Sequence, residues 1–117
     1  MQAESPAKML RIYIGERDKT GHTTAYEALL LEARRQGISG VTVLRAIMGY
    51  GASASIHTAK LIEITDDLPI VIEIVDSENK VAAFLPWLDH FFNETGIGAT
   101  VTIEEVKLLN YKARAKK

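Results

Sequence analysis

The 117-residue chain has no cysteine, one tryptophan, three prolines and a formal net charge of only −1. Each scarcity excludes something. Without cysteine there is neither a disulfide framework nor a thiolate metal site, and a reducing, cytoplasmic setting is the natural expectation. A near-zero net charge gives no field that would gather nucleic acid or an anionic membrane, so no nucleic-acid partner is expected. No apolar run approaches the roughly 18 residues that a membrane span needs, and no stretch has the layout of a secretion signal. What is present is ordinary for a globular chain: 47% hydrophobic and 25% charged residues, enough for one domain with one core.

One stretch stands out, Gly40 to Gly51, reading Gly-Val-Thr-Val-Leu-Arg-Ala-Ile-Met-Gly-Tyr-Gly. From Val43 to Met48 every residue but Arg45 is apolar, so the pattern predicts a strand, about Val41 to Tyr50, buried on both faces with one cation inside it. A charge so placed needs a partner. It is either a carboxylate of the same sheet or a ligand. Gly49 and Gly51 flank Tyr50, and glycine permits the backbone angles and close approach that a strand needs where it opens into a binding loop.

Residues 1–8 are polar, hold Pro6 and show no period; they are expected to be a flexible leader to a domain spanning 9–110. Leu10, Ile12 and Ile14 alternate with Arg11 and Tyr13, a half-buried strand ending at Gly15. A charged loop, Glu16 to His22, follows. Thr24 and Glu27 then have the spacing of a capping box, and Tyr26, Leu29, Leu30 and Ala33 share one face of a helix that stops before Gly37. After the glycine-flanked tyrosine, Ala52 to Lys60 has small side chains and no period, which predicts a mobile loop. Leu61 to Ile64 reads as a short strand. Pro69 then opens a strand with Ile70, Ile72 and Ile74 on one face and Val71, Glu73 and Val75 on the other, so something is expected to cover the second face as well. Ser77 is the predicted cap of a second helix bearing Val81, Phe84, Leu85, Leu88, Phe91 and Phe92, kinked or broken near Leu85 by Pro86. Asn93 to Gly98 closes it. The last strand slips phase at Glu104-Glu105, for which a β-bulge is expected. Residues 111–117 form a basic tail. The order βαββαβ predicts an α+β ferredoxin-like plait, a four-stranded antiparallel sheet with two helices on one face.

Chemical motifs are few. His22, His57 and His90 have no metal-ligand spacing, and no serine combines with histidine and acid in a nucleophile motif, so neither a metal, a cofactor nor an enzyme is expected. His57 with Lys60 could meet an anion in the loop after the second strand. Gly96-Ile97-Gly98 could offer backbone amides to a phosphate from the turn itself.

Taken together, Tyr13 to Lys19, Gly40 to Gly51, Ile56-His57-Thr58 and Asp67 to Asp76 resemble the PII-like proteins, and within them the uncharacterised DUF190 family, over Leu10 to Leu109. The resemblance implies a ferredoxin-like homotrimer that binds a small anionic effector, a nucleotide above all, in clefts between subunits. It further implies signalling through the loop at 52–60 to an enzyme or a membrane transporter. The candidate ligand residues are Arg45, Gly49, Tyr50, Gly51, His57, Lys60, Gly96 and Gly98. This chain departs from PII proteins after the second helix, where Ala99-Thr100 stand in place of an Asp-Gly-Lys run. Two alternatives remain: a small enzyme acting on a phosphorylated compound, since Gly37 to Val41 followed by Arg45 resembles the phosphate loop and arginine of acylphosphatases, and an adaptor that binds protein alone.

Overall fold

The computed structural model describes residues 5–51 and 67–109. Its elements run β1 (Ser5–Gly15), β2 (Lys19–Thr20), β3 (Thr23–Thr24), α1 (Ala25–Arg35), β4 (Val41–Arg45), β5 (Pro69–Ser77), α2 (Glu78–Thr95) and β6 (Thr100–Leu108). The main sheet has four antiparallel strands in the order β4-β5-β1-β6, and β2 with β3 forms a separate two-stranded ribbon. The fold is therefore the expected ferredoxin-like plait, with a small hairpin inserted between the first strand and the first helix.

The core follows from the alternation of the two central strands. Leu10 pairs with Ile74, Ile12 with Ile72 and Ile14 with Ile70, and all six side chains are buried on the same face. Ala25, Leu29 and Ala33 of α1 and Val81, Phe84, Leu88 and Phe91 of α2 close over them. Each large side chain removed from water there contributes about 1.5–3 kcal/mol. Phe84, Trp87 and Phe91 stack along α2 with ring centroids 5.6 Å and 4.9 Å apart. The caps behave as expected: the Thr24 hydroxyl accepts from the Glu27 amide, the Ser77 hydroxyl from the Lys80 amide, and Gly96 ends α2 in the left-handed region at φ 70°.

Several expectations are corrected. The strand expected to begin near Leu10 begins at Ser5, inside the presumed leader. Pro6 is tolerated there because it lies beyond the β5 ladder, which starts at Ala7 opposite Ser77. Leu30 of α1 is exposed rather than on the buried stripe. Pro86 does not break α2. Both Pro86 and Ala82, whose carbonyl loses an amide partner to the proline, lie on the exposed side, where water can bond that carbonyl. No bulge occurs in β6: its register with β1 runs one to one from Ser5 opposite Leu108 to Tyr13 opposite Thr100. As an edge strand exposed over most of its length, β6 needs no strict alternation, and its consecutive acids serve opposite faces, Glu104 pairing with Arg11 (2.7 Å) and Glu105 with Lys8 (3.4 Å).

The face of the sheet turned away from the helices carries Met9, Tyr13, Leu44, Val71 and Val75. Near its middle Arg11 holds two carboxylates, Glu73 at 2.9 Å and Glu104 at 2.7 Å. The bond to Glu73 is the main reason that the Arg11 guanidinium is held above its ordinary pKa.

Candidate functional site

The stretch Gly40 to Gly51 is not a doubly buried strand. β4 ends at Arg45, where the Ala46 amide donates to the Pro69 carbonyl (2.9 Å), and the chain then leaves the sheet. β4 is an edge strand, so only Val41 and Val43 reach the core, while Leu44, Ile47, Met48 and Tyr50 are exposed, Ile47 at 93%. Gly49 sits at φ 149°, with the space where a Cβ would stand 3.4 Å from Pro69; Gly51 has open space around it.

Arg45 has a partner. Its Nε lies 2.8 Å from Glu16 Oε2, with the arginine side chain 59% and the glutamate 28% exposed. The carboxylate comes from the turn after β1 rather than from the sheet. That turn is built densely. Asp18 Oδ2 accepts from the Gly15 amide (2.8 Å), Asp67 Oδ1 accepts from the Arg17 amide (3.0 Å), and the Glu16 amide donates to the Leu68 carbonyl (2.9 Å). One four-residue turn therefore ties the end of β4, through a side chain, to the start of β5, through its backbone. The sequence gives no local clue to this: Glu16 and Arg45 follow no motif spacing, and the turn reads as a solvated charge cluster.

The ends of β4, β1 and the start of β6 lie at the same end of the sheet, since Arg45 pairs with Ile70, Gly15 with Pro69 and Tyr13 with Thr100. Gly96 and Gly98 precede β6 at that end. They stand on the opposite edge from Arg45, three strand spacings or about 14 Å away. Those of the expected residues that are described thus fall into two groups that the fold does not bring together within one chain. Nor is Gly96-Ile97-Gly98 a ready amide nest: the Gly96 amide donates to the Phe92 carbonyl (2.9 Å) and the Ile97 amide to the Thr95 hydroxyl (3.3 Å). His57, Lys60, the expected strand at Leu61 and the loop at 52–60 lie outside the described residues, as does the basic tail. Among the described residues no group of three or more histidine, aspartate or glutamate side chains could hold a metal ion, and no helix is long and apolar enough to cross a membrane.

An open cleft of about 400 Å³ lies at the other end of the sheet, lined by Pro6, Ala7, Glu78, Glu105, Val106 and Lys107. It shares no residue with the Arg45 region.

A plait of this order, with a chain departure after β4 and a glycine turn after α2, is the PII-like fold. CPII from Thiomonas intermedia K12, in a structure with ADP, AMP and acetate, superposes with a TM-score of 0.65 at 20% identity, covering 93% of this chain and 94% of that one. Its complex with ADP and bicarbonate also gives 0.65 at 20% identity, covering 92% and 93%. The apo form gives 0.55, again at 20% identity, covering 91% and 97%. The chain itself belongs to the DUF190 family, "Uncharacterized ACR", whose model matches residues 7–108. A UPF0166 protein of Aquifex aeolicus is 35% identical over 102 residues, 87% of this chain and 92% of that protein. A second, from Methanocaldococcus jannaschii, is 34% identical over 91 residues, 78% and 83% of the two chains.

Proposed function

We propose that the protein is a PII-like regulatory subunit that binds a small anionic effector, an adenine nucleotide in the first instance, in clefts between copies of itself. The observation that carries this reading is the separation of the site into two groups. Arg45, Gly49, Tyr50 and Gly51 occupy one edge of a sheet end and Gly96 to Gly98 the other, about 14 Å apart, so a cleft lined by both is completed by a neighbouring copy. A cyclic assembly repeats such a contact head to tail and closes it; a homotrimer is the closed ring we infer. The sheet face turned away from the helices supports association, because among the described residues it is apolar around charges that already satisfy each other. The bound ADP and AMP of CPII support the ligand class.

In this reading Arg45 meets the anion, the glycines allow close approach, Tyr50 supplies an exposed aromatic surface, and His57 and Lys60 join them from the segment that follows. Occupancy is passed through residues 52–60 to an enzyme or membrane transporter in the cytoplasm. The acylphosphatase-like alternative is disfavoured by the β1–α1 turn, where such enzymes hold phosphate: the amides of Gly15, Glu16 and Arg17 are all occupied by protein oxygens.

The test is thermal unfolding of wild type and Arg45→Ala with ATP, ADP, AMP and cyclic dinucleotides, beside light-scattering mass. A ligand at 100 times its dissociation constant adds about 2.7 kcal/mol, a shift of several degrees in a domain of this size. A shift in wild type that Arg45→Ala loses, with a mass of three chains, is expected. No shift with any nucleotide refutes the sensor reading and leaves the protein-only adaptor.

A further inference from the structure

The guanidinium expected to meet an effector is held by a carboxylate of its own chain. An ion pair with one member more than half exposed is weak and open to exchange, so an incoming anion can replace Glu16 at Arg45 without unpacking the core. A phosphate is the stronger competitor, since it carries more charge and can engage the guanidinium fork through two oxygens, where Glu16 meets it at Nε through Oε2. What makes the exchange consequential is where Glu16 sits. Its own amide and that of Arg17 hold Leu68 and Asp67, the first described residues on the returning side of the chain that departs after Gly51.

We propose that Glu16 is a built-in competitor for the effector. It occupies Arg45 in the empty site, is displaced by an anionic ligand, and thereby reports occupancy to the turn at 15–18 that clips the start of β5. The inference rests on the reading of Arg45 as the effector's cation. Two consequences follow. Ligand affinity is lowered by the fraction of molecules in which Glu16 holds Arg45, and the Glu16 and Arg17 amides change environment when ligand binds even though no ligand atom touches them.

The experiment pairs titration calorimetry with amide NMR on wild type, Glu16→Gln, which keeps the size and removes the charge, and Glu16→Asp, which keeps the charge. The probes are ADP and inorganic pyrophosphate. Glu16→Gln is expected to bind both roughly three- to tenfold tighter than wild type, the range set by a partly exposed pair together with relief of charge repulsion, and Glu16→Asp to move back toward wild type. In wild type, ADP is expected to speed exchange of the Glu16 and Arg17 amides; in Glu16→Gln they exchange fast without it. If wild type binds ADP but Glu16→Gln binds no more tightly, the competitor is refuted while the effector site stands. Binding by neither protein refutes both. Were Glu16→Gln not to fold, unchanged Glu16 and Arg17 amides in ADP-saturated wild type would refute the inference alone.

Discussion

Replacing Gly15 by alanine tests whether the turn that anchors both strand ends is as tightly built as its distances imply. A Cβ at position 15 would lie 2.8 Å from Asp67 Oδ1, 3.1 Å from Asp67 Oδ2 and 3.2 Å from Asp18 Oδ2. Carboxylate ends normally swing aside, but both of these are tethered, to the Arg17 amide at 3.0 Å and to the Gly15 amide at 2.8 Å. Making room for the methyl therefore sacrifices about one charge-assisted hydrogen bond, about 1.5–3 kcal/mol. Alanine returns about 0.4–1 kcal/mol by stiffening the unfolded chain. The net expectation is a loss of about 1–2 kcal/mol, a fall in Tm of roughly 3–10 °C for a domain of this size. The control is the same change in an Asp67→Ala background, where the closest two clashes are gone. There Gly15→Ala should be neutral or stabilising, giving a coupling energy of about 1–2 kcal/mol between the positions. Equal destabilisation in both backgrounds, measured by urea unfolding, would refute the argument.

Two further outcomes are expected. Gly96→Ala, with open space around the new methyl but φ fixed at 70°, should cost about 1 kcal/mol in chemical denaturation, and Gly96→Asn less, because asparagine tolerates the left-handed region. Glu32 is held below the ordinary glutamate pKa chiefly by its hydrogen bond from Arg35 and further by one from Gln36, against an opposing desolvation. A depressed carboxylate adds stability above its unfolded pKa and loses it as pH falls through the folded one. Glu32→Gln should thus lower stability slightly at pH 7, by no more than about 0.5 kcal/mol for a partly exposed helical pair, read as a small fall in Tm, with the gap to wild type closing as pH falls below the ordinary glutamate range.

What the sequence reveals here depends on whether burial enforces a pattern. β5 was legible because Ile70, Ile72 and Ile74 sit in the middle of the sheet, where a slip of one residue would expose all three. The caps at Thr24, Ser77 and Gly96 were legible because each satisfies orphan backbone groups by local chemistry. At the sheet edges that pressure fades. β4 ends three residues before its apolar run does, and β6 carries two consecutive acids without a bulge, because an edge strand can turn apolar or charged side chains to either side. The β2–β3 ribbon does carry a local signal, the β-branched Thr20, Thr23 and Thr24 around a two-residue turn that opens on Gly21 at φ 63°. The Glu16–Arg45 pair had none, since its members are brought together only by the completed sheet.

The same sheet end explains why anion recognition would rest on a side chain. Backbone amides are the usual alternative, and the turns after β1 and after α2 already engage theirs within the protein. Gly15 and Arg17 donate to aspartate carboxylates, Glu16 donates to Leu68, and Gly96 and Ile97 donate back into the end of α2. An amide cradle would bind phosphate through fixed partial charges and would leave Arg45 dispensable. Arg45 at the end of β4 then offers a charge, and its present partner is a carboxylate held in a partly exposed ion pair that can exchange. Recognition of that kind is sensitive to ionic strength and to the number of charges on the ligand. A series in which affinity rises from AMP to ADP to ATP and falls with added salt would follow from it. A series flat in both would point back to the amides.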